Sequence, residues 1–123
     1  MTSPLSPLFH LIDDDEGVRS SLGLLISTVS LRVQTWADPQ AFMDDFDRHS
    51  MGAIVLDVRM PGVSGLTVLD TLMAQGVDQP VIMLTGHGTV DLCRRAFKAG
   101  AAEFLEKPVN DELLLEALQN AVR

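Results

Sequence analysis

Short apolar runs alternate with segments of helical periodicity along most of this chain. The runs that predict strands are residues 8–13, 31–36, 53–57, 81–85 and 101–106. The segments that follow them carry apolar residues at helical spacing, such as Leu22, Leu25, Ile26 and Val29 after the first run. Five strands alternating with five helices predict an α/β fold of the (βα)5 type, in which helices cover both faces of a doubly wound parallel sheet.

Several residues mark where the predicted helices begin and end. Asp38, followed by a proline, predicts one helix start and Asn110 another, because short polar side chains cap the first free N–H groups of a helix. Gly76 and Gly100 are expected to end the third and fourth helices, since glycine tolerates the left-handed conformation common at helix ends.

The bulk composition narrows the class of protein. The 123 residues, 46% of them hydrophobic and 21% charged, suit one folded domain, which we expect to span residues 1–123. With a formal charge of −8, the chain has no excess of basic residues that could bind the phosphates of nucleic acid, so we expect no direct DNA contact. We find no signal sequence and no membrane-spanning run, and the single cysteine, Cys93, fits a reducing compartment. These features predict a cytoplasmic protein without membrane contact.

Four of the predicted strands end in side chains that can bind a cation or a phosphoryl group. Three consecutive aspartates, residues 13–15, follow the first strand, and Asp57, Thr85 and Lys107 end the third, fourth and fifth strands. Because the carboxyl ends of parallel strands meet at one edge of the sheet, we expect these side chains to lie close together. Carboxylates are the protein ligands that Mg²⁺ or Mn²⁺ prefers, so the pattern predicts a divalent cation site.

Asp57 is the residue that we expect to react. It directly follows an apolar run, so its backbone is predicted to be buried while its carboxylate emerges at the sheet edge. An aspartate there can attack phosphorus and form an acyl phosphate, provided that a divalent cation neutralises the approaching group.

Each of these residues also has a plainer interpretation. The three aspartates could form a solvated loop that carries a helix N-cap, and Asp57 could be a turn residue before Met60. Thr85 could be an ordinary strand end before a glycine loop, and Lys107 an exposed side chain. It is their combination at one sheet edge that favours phosphoryl chemistry.

Four sequence motifs resemble those of the receiver domains of two-component response regulators. They are IDDD at 12–15, DVRMPGVSG at 57–65, LTGHG at 84–88 and KAGAAEFLEKP at 98–108. The resemblance covers roughly residues 8–122, and the last two motifs look closest to the FixJ-like subset. It implies a CheY-like, flavodoxin-like fold with strand order 2-1-3-4-5.

The resemblance also implies roles for the acidic residues. Asp57 would be the phosphoacceptor, and Asp14 and Asp57 would ligate Mg²⁺ (or Mn²⁺) together with the backbone carbonyl of Arg59. Asp13 would act on the ion through water.

Further roles follow for residues on the fourth and fifth strands. Thr85 and Lys107 would hold the phosphoryl oxygens, and Phe104 would be the switch aromatic that turns inward when Thr85 moves. The Lys107–Pro108 peptide bond is expected to be cis. His87 and Arg59 lie two residues beyond Thr85 and Asp57, at positions that tune phosphoryl lifetime in this family.

The partners implied by the resemblance are a sensor histidine kinase and an output domain or downstream protein. A FixJ-like receiver usually precedes a DNA-binding domain, so the expected output is transcription controlled by a domain outside this chain. A homodimer that depends on phosphorylation would use the fourth helix, fifth strand and fifth helix.

Two other functions remain open on the sequence alone. A haloacid-dehalogenase-type phosphatase starts from an Asp-x-Asp-x-Thr motif; Asp13 and Asp15 have that spacing, but Gly17 occupies the last position and no cap insertion is present. A pseudo-receiver that only binds partners would lack part of the reactive set, whereas the acid pair, Asp57, Thr85 and Lys107 are all present.

Overall fold

The molecule is built on one five-stranded parallel sheet. A computed structural model describes residues 7–48 and 50–122, and residues 1–6, 49 and 123 of the predicted domain lie outside the described residues. The strands of the sheet are β1 (Leu8–Ile12), β2 (Arg32–Trp36), β3 (Ile54–Asp57), β4 (Val81–Thr85) and β5 (Glu103–Glu106). The helices are α1 (Glu16–Thr28), α2 (Pro39–Asp45), α3 (Gly65–Ala74), α4 (Val90–Lys98) and α5 (Asp111–Ala121).

The order of the strands across the sheet is β2-β1-β3-β4-β5, which confirms the predicted topology. Every neighbouring pair is parallel, so the strands end along one edge. In this register Asp57 pairs with Leu84, and Thr85 pairs with Glu106. The residues that follow β1, β3, β4 and β5 are therefore brought to the same side of the molecule.

The sheet separates two hydrophobic cores. One core, which includes Phe42, Leu69 and Ala96, lies beneath α2, α3 and α4. The other lies beneath α1 and α5. Successive residues of β3 alternate between them, because side chains of a strand point to opposite faces. The central strand is buried on both sides, so its carboxyl end is held rigidly.

The helix boundaries agree with the signals in the sequence. The side chain of Asp38 accepts a hydrogen bond from the N–H of Gln40, and that of Asn110 accepts one from Leu113. Gly76 and Gly100 follow α3 and α4 with φ angles of +73° and +113°, which glycine adopts without the steric cost of a Cβ.

The first three strands are each one residue shorter than predicted, and larger differences occur in the last strand and after β3. The last strand begins at Glu103 rather than at residue 101, because Ala101 is still bonded to the preceding turn through the carbonyl of Ala96. The turn-rich segment after β3 contains a short antiparallel ribbon, Arg59–Met60 with Val63–Ser64.

Within the described residues, no helix is long and apolar enough to cross a bilayer.

Candidate phosphoryl-transfer site

Three carboxylates converge at the carboxyl edge of the sheet. One oxygen from each of Asp13, Asp14 and Asp57 lies within 4.8 Å of the others. Asp13 and Asp57 are buried, whereas Asp14 is exposed. Three negatively charged groups this close repel one another unless a cation lies between them. An all-oxygen set with one exposed member fits a hard divalent cation such as Mg²⁺, which retains several of its waters.

Lys107 supplies a positive charge to the same cluster. Its Nζ lies 2.7 Å from Oδ2 of Asp13 and 3.4 Å from Oδ2 of Asp57. Burial lowers the pKa of Lys107, but the hydrogen bond to Asp13 and the charges of the two carboxylates outweigh it and raise the pKa above its ordinary value. The lysine therefore stays charged and bridges β1 and β3. The peptide bond between Lys107 and Pro108 is cis.

The carboxylate of Asp57 is less exposed than the sequence suggested. Its side chain retains 5% of its exposure, so it lies at the floor of the site rather than emerging from the edge. Burial raises the pKa of Asp57 from 3.8 to about 6, and the charge of Asp13 adds to this rise while Lys107 opposes it. The N–H of Arg59 also donates to Oδ1 of Asp57, at 3.3 Å. A cation bound beside this carboxylate would favour its charged form.

The run of three aspartates divides into two roles. The side chain of Asp15 accepts a hydrogen bond from the N–H of Val18 and caps α1, as in the plainer interpretation of the loop. Asp13 and Asp14 face the cluster instead. The N–H of Asp15 donates to Oδ1 of Asp13 at 2.9 Å, which ties the helix cap to the acidic pair.

Thr85 is buried at the end of β4, beside the strand that ends in Asp57. Its hydroxyl accepts a hydrogen bond of 3.1 Å from the N–H of His87, and its carbonyl accepts one of 2.7 Å from the N–H of Lys107. The backbone of Lys107 is thus anchored to Thr85, while the side chain of His87 is exposed. The bond between the Thr85 hydroxyl and the N–H of His87 lies within the turn that follows β4.

Phe104 lies on β5 opposite Met83 in the register of the sheet. It is half-buried and lines a groove of about 530 Å³ beneath α4, together with Cys93 and Phe97. The ring packs against the core beneath α2, α3 and α4 on one side and borders the groove on the other.

The turn after β3 is packed tightly against the site. The N–H of Gly65 donates to the carbonyl of Val58 at 2.7 Å. A Cβ atom at position 65 would collide with the carbonyl of Asp57, so this position requires glycine. The side chain of Arg59 is exposed and lines a second groove of about 740 Å³ with Arg95.

Arg19 is a residue of the site that sequence reasoning missed. Its Nη1 donates a hydrogen bond of 2.7 Å to the carbonyl oxygen of Asp13. A lone arginine in a helix carries no sequence signal for such a contact. Its position one helical turn after the Asp15 cap is the feature that could have suggested a side chain reaching back to Asp13.

Comparison with known proteins decides the family. Residues 9–119 match the family described as the response regulator receiver domain. The chain belongs to this family. Receiver domains are phosphoacceptor switches that bind Mg²⁺ at an acidic pocket, and the cluster of Asp13, Asp14 and Asp57 is a pocket that could hold the ion. The match favours a receiver over the phosphatase interpretation.

Several curated relatives of this receiver domain are transcription regulators. The transcriptional regulatory protein FixJ of Azorhizobium caulinodans is 46% identical over 116 residues, which are 94% of this chain and 55% of that protein. The C4-dicarboxylate transport regulator DctR of Rhodobacter capsulatus is 40% identical over 115 residues, covering 92% of this chain and 58% of its own length. The chain therefore spans about half the length of these relatives.

The same likeness extends to solved structures. Full-length FixJ from B. japonicum superimposes with a TM-score of 0.87 at 40% identity, over 95% of this chain and 58% of that one. The receiver domain described here is thus similar in sequence and in fold to the FixJ type.

Proposed function

We propose that this receiver domain accepts a phosphoryl group on Asp57 from a phosphohistidine of a sensor kinase. The observation that carries the proposal is the position of the Asp57 carboxylate between two further aspartates and the ammonium of Lys107. A carboxylate alone would repel a phosphoryl dianion, so the reaction needs the charge of Lys107 together with that of a divalent cation held by the aspartates.

In the proposed reaction an oxygen of Asp57 attacks phosphorus while the bond from phosphorus to the imidazole nitrogen breaks. The imidazole leaves with the bonding electrons and takes up a proton, and an acyl phosphate forms on Asp57. Asp14, Asp57 and the backbone carbonyl of Arg59 would hold Mg²⁺ or Mn²⁺ directly, with Asp13 acting through water. The ion supplies charge neutralisation on the phosphoryl oxygens.

Two side chains are proposed to hold the transferred group. Lys107 already lies 3.4 Å from the Asp57 carboxylate, so its ammonium can pair with a phosphoryl oxygen after the transfer. Thr85 ends the neighbouring strand, and its hydroxyl, which accepts a hydrogen bond from the N–H of His87, would donate one to a phosphoryl oxygen.

The switch is a shift between two states of one surface. Movement of Thr85 toward the phosphoryl group leaves space that Phe104 can fill by turning inward from its groove. Phosphorylation favours that state only by the free energy of the contacts that the other state lacks. The surface that responds consists of α4, β5 and α5, where a homodimer would form upon phosphorylation. Slow hydrolysis of the acyl phosphate, tuned by Arg59 and His87, would reset the switch.

The wider role follows from the relatives. We infer a two-component regulator whose output is transcription, exerted through a DNA-binding domain outside this chain, while residues 1–123 form the receiver. With a charge of −8 the receiver itself is not expected to contact nucleic acid. A cytoplasmic location is part of the same proposal, because a sensor kinase exposes its phosphohistidine there.

The test is incubation with acetyl phosphate and Mg²⁺, followed by intact-mass measurement of the wild type and of Asp57→Asn. A gain of one phosphoryl group in the wild type alone supports the proposal, and an equal gain in the variant contradicts it. A steady-state assay with a small phosphate ester separates the phosphatase alternative. Many turnovers per chain would favour that enzyme, and a single stable phosphoryl group favours the receiver.

A further inference from the structure

We propose that Arg19 is a positioning residue of the cation site, which holds the backbone at Asp13 so that the Asp13 and Asp14 carboxylates face the ion. The inference rests on the proposed function, because it assigns a role within that same site.

Arg19 holds the acidic loop through its side chain, whose Nη1 donates to the carbonyl of Asp13 at 2.7 Å. The backbone N–H of Arg19 donates to the carbonyl of Asp15 at 3.0 Å, which is the first regular hydrogen bond of α1 and would persist in a variant. The side chain of Arg19 reaches back from the first turns of α1 to the end of β1 and is half-buried there. The side chain of Arg19 thus joins α1 to the first residue of the aspartate run.

The bond at Asp13 controls the direction of Asp14. The carbonyl of Asp13 and the N–H of Asp14 belong to one rigid peptide plane. Fixing that carbonyl therefore fixes the direction in which the chain, and with it the Asp14 side chain, leaves the strand. Asp14 is exposed, so packing alone does not hold it.

The charge of Arg19 and its hydrogen bond predict opposite effects on cation binding. A guanidinium near a cation site repels the incoming ion, so a purely electrostatic role predicts tighter binding when Arg19 is removed. A positioning role predicts weaker binding, because loss of an outer partner that orients ligands typically lowers metal affinity by about 10-fold or more. The direction of the change decides between them.

The chain offers a matched control. Arg48 also donates a hydrogen bond of 2.7 Å from Nη1 to a backbone carbonyl, that of Gln75 after α3. Arg48→Met therefore removes the same kind of bond and the same charge outside the acidic loop.

The experiment measures Mn²⁺ binding to the full chain by the loss of the free-ion electron paramagnetic resonance signal. The variants are Arg19→Met, Arg19→Lys, Arg48→Met and Asp14→Asn, and thermal unfolding without metal reports the folding of each. We expect Arg19→Met to weaken binding by about 10-fold. Arg48→Met should bind like the wild type, and Arg19→Lys, which retains a donor, should recover most of the affinity.

Unchanged or tighter binding in folded Arg19→Met would overturn the inference while leaving the proposed function intact. Equal weakening in Arg48→Met would also overturn it, because the effect would then be a general loss of stability. If the wild type binds no Mn²⁺, or binds it as well without the Asp14 carboxylate, the proposed function fails and the inference with it. If Arg19→Met does not fold, the Arg19→Lys result decides, since a retained donor must preserve binding.

Discussion

The ammonium of Lys107 and the carboxylate of Asp13 form an ion pair of 2.7 Å between residues 94 positions apart in the chain. Asp13 is buried, so this pair compensates a charge that solvent does not reach. The same ammonium lies 3.4 Å from Asp57. Lys107 thus pairs with one buried carboxylate and partly compensates the charge of a second.

Loss of Lys107 should destabilise the metal-free protein. Lys107→Met leaves Asp13 and Asp57 facing each other without a counter-charge, and we expect a cost of about 2 kcal/mol at pH 8. The cost should be smaller at pH 5, where Asp57, with its pKa of about 6, takes up a proton. Urea unfolding in EDTA measures both values. Lys98→Met, at an exposed lysine of α4, is the control, and an equal loss of stability at both pH values would contradict the explanation.

The raised pKa of Asp57 makes stability depend on pH. The folded pKa of about 6 lies above the ordinary value of 3.8, so between these values the folded chain holds a proton that the unfolded chain has released. Stability is therefore lost as pH rises through this window. In EDTA, the free energy of unfolding of Asp57→Asn, relative to that of the wild type, should rise by about 2 kcal/mol between pH 4 and pH 7. A pH-independent difference between the two proteins would refute this assignment.

Mg²⁺ should stabilise the wild type through Asp14. A ligand that binds only the folded state at 100 times its dissociation constant adds about 2.7 kcal/mol. Asp14→Asn removes one exposed carboxylate of the cluster, so the variant should fold normally without metal and gain little from Mg²⁺. Thermal unfolding with and without Mg²⁺ gives the comparison. Asp70→Asn, at an exposed aspartate of α3, should respond like the wild type.

Position 65 should tolerate no side chain. Gly65→Ala places a Cβ against the carbonyl of Asp57, so the turn must move away from β3, at a cost of at least about 2 kcal/mol. We expect phosphorylation by acetyl phosphate to slow as well, because the moved backbone carries the phosphoacceptor. Gly86→Ala is the matched control, since open space surrounds that position. Similar stabilities of the two variants would show that the turn moves at little cost in free energy and would contradict this prediction.

Arg59 and His87 should affect the lifetime of the phosphoryl group more than the fold. Both side chains are exposed and follow the phosphoacceptor and the threonine by two residues, so we expect them to lie near the path of the attacking water. Arg59→Ala and His87→Ala should leave unfolding within about 0.5 kcal/mol of the wild type. Dephosphorylation followed by mass spectrometry should change in both. Identical lifetimes of the phosphoryl group in all three proteins would show that neither side chain affects dephosphorylation.

Much of the fold was predictable because it depends on local pattern. The apolar run 53–57 indicates a strand buried on both faces, and the β3 found there contributes to both cores. The cap at Asp38 and the glycine at 76 marked helix ends correctly, since capping depends on neighbouring residues only. The ribbon after β3 was missed because two-residue strands leave no periodicity.

The sequence alone determined which chemical groups reach the edge of the sheet, because strand direction is decided by the alternation of strands and helices. Asp13, Asp57, Thr85 and Lys107 could therefore be placed together in advance. Tertiary structure decided how they meet: the near-complete burial of Asp57 and the pairing of Lys107 with Asp13 depend on contacts between residues far apart in the chain. Such contacts follow from the packing of whole elements, and no local pattern encodes them.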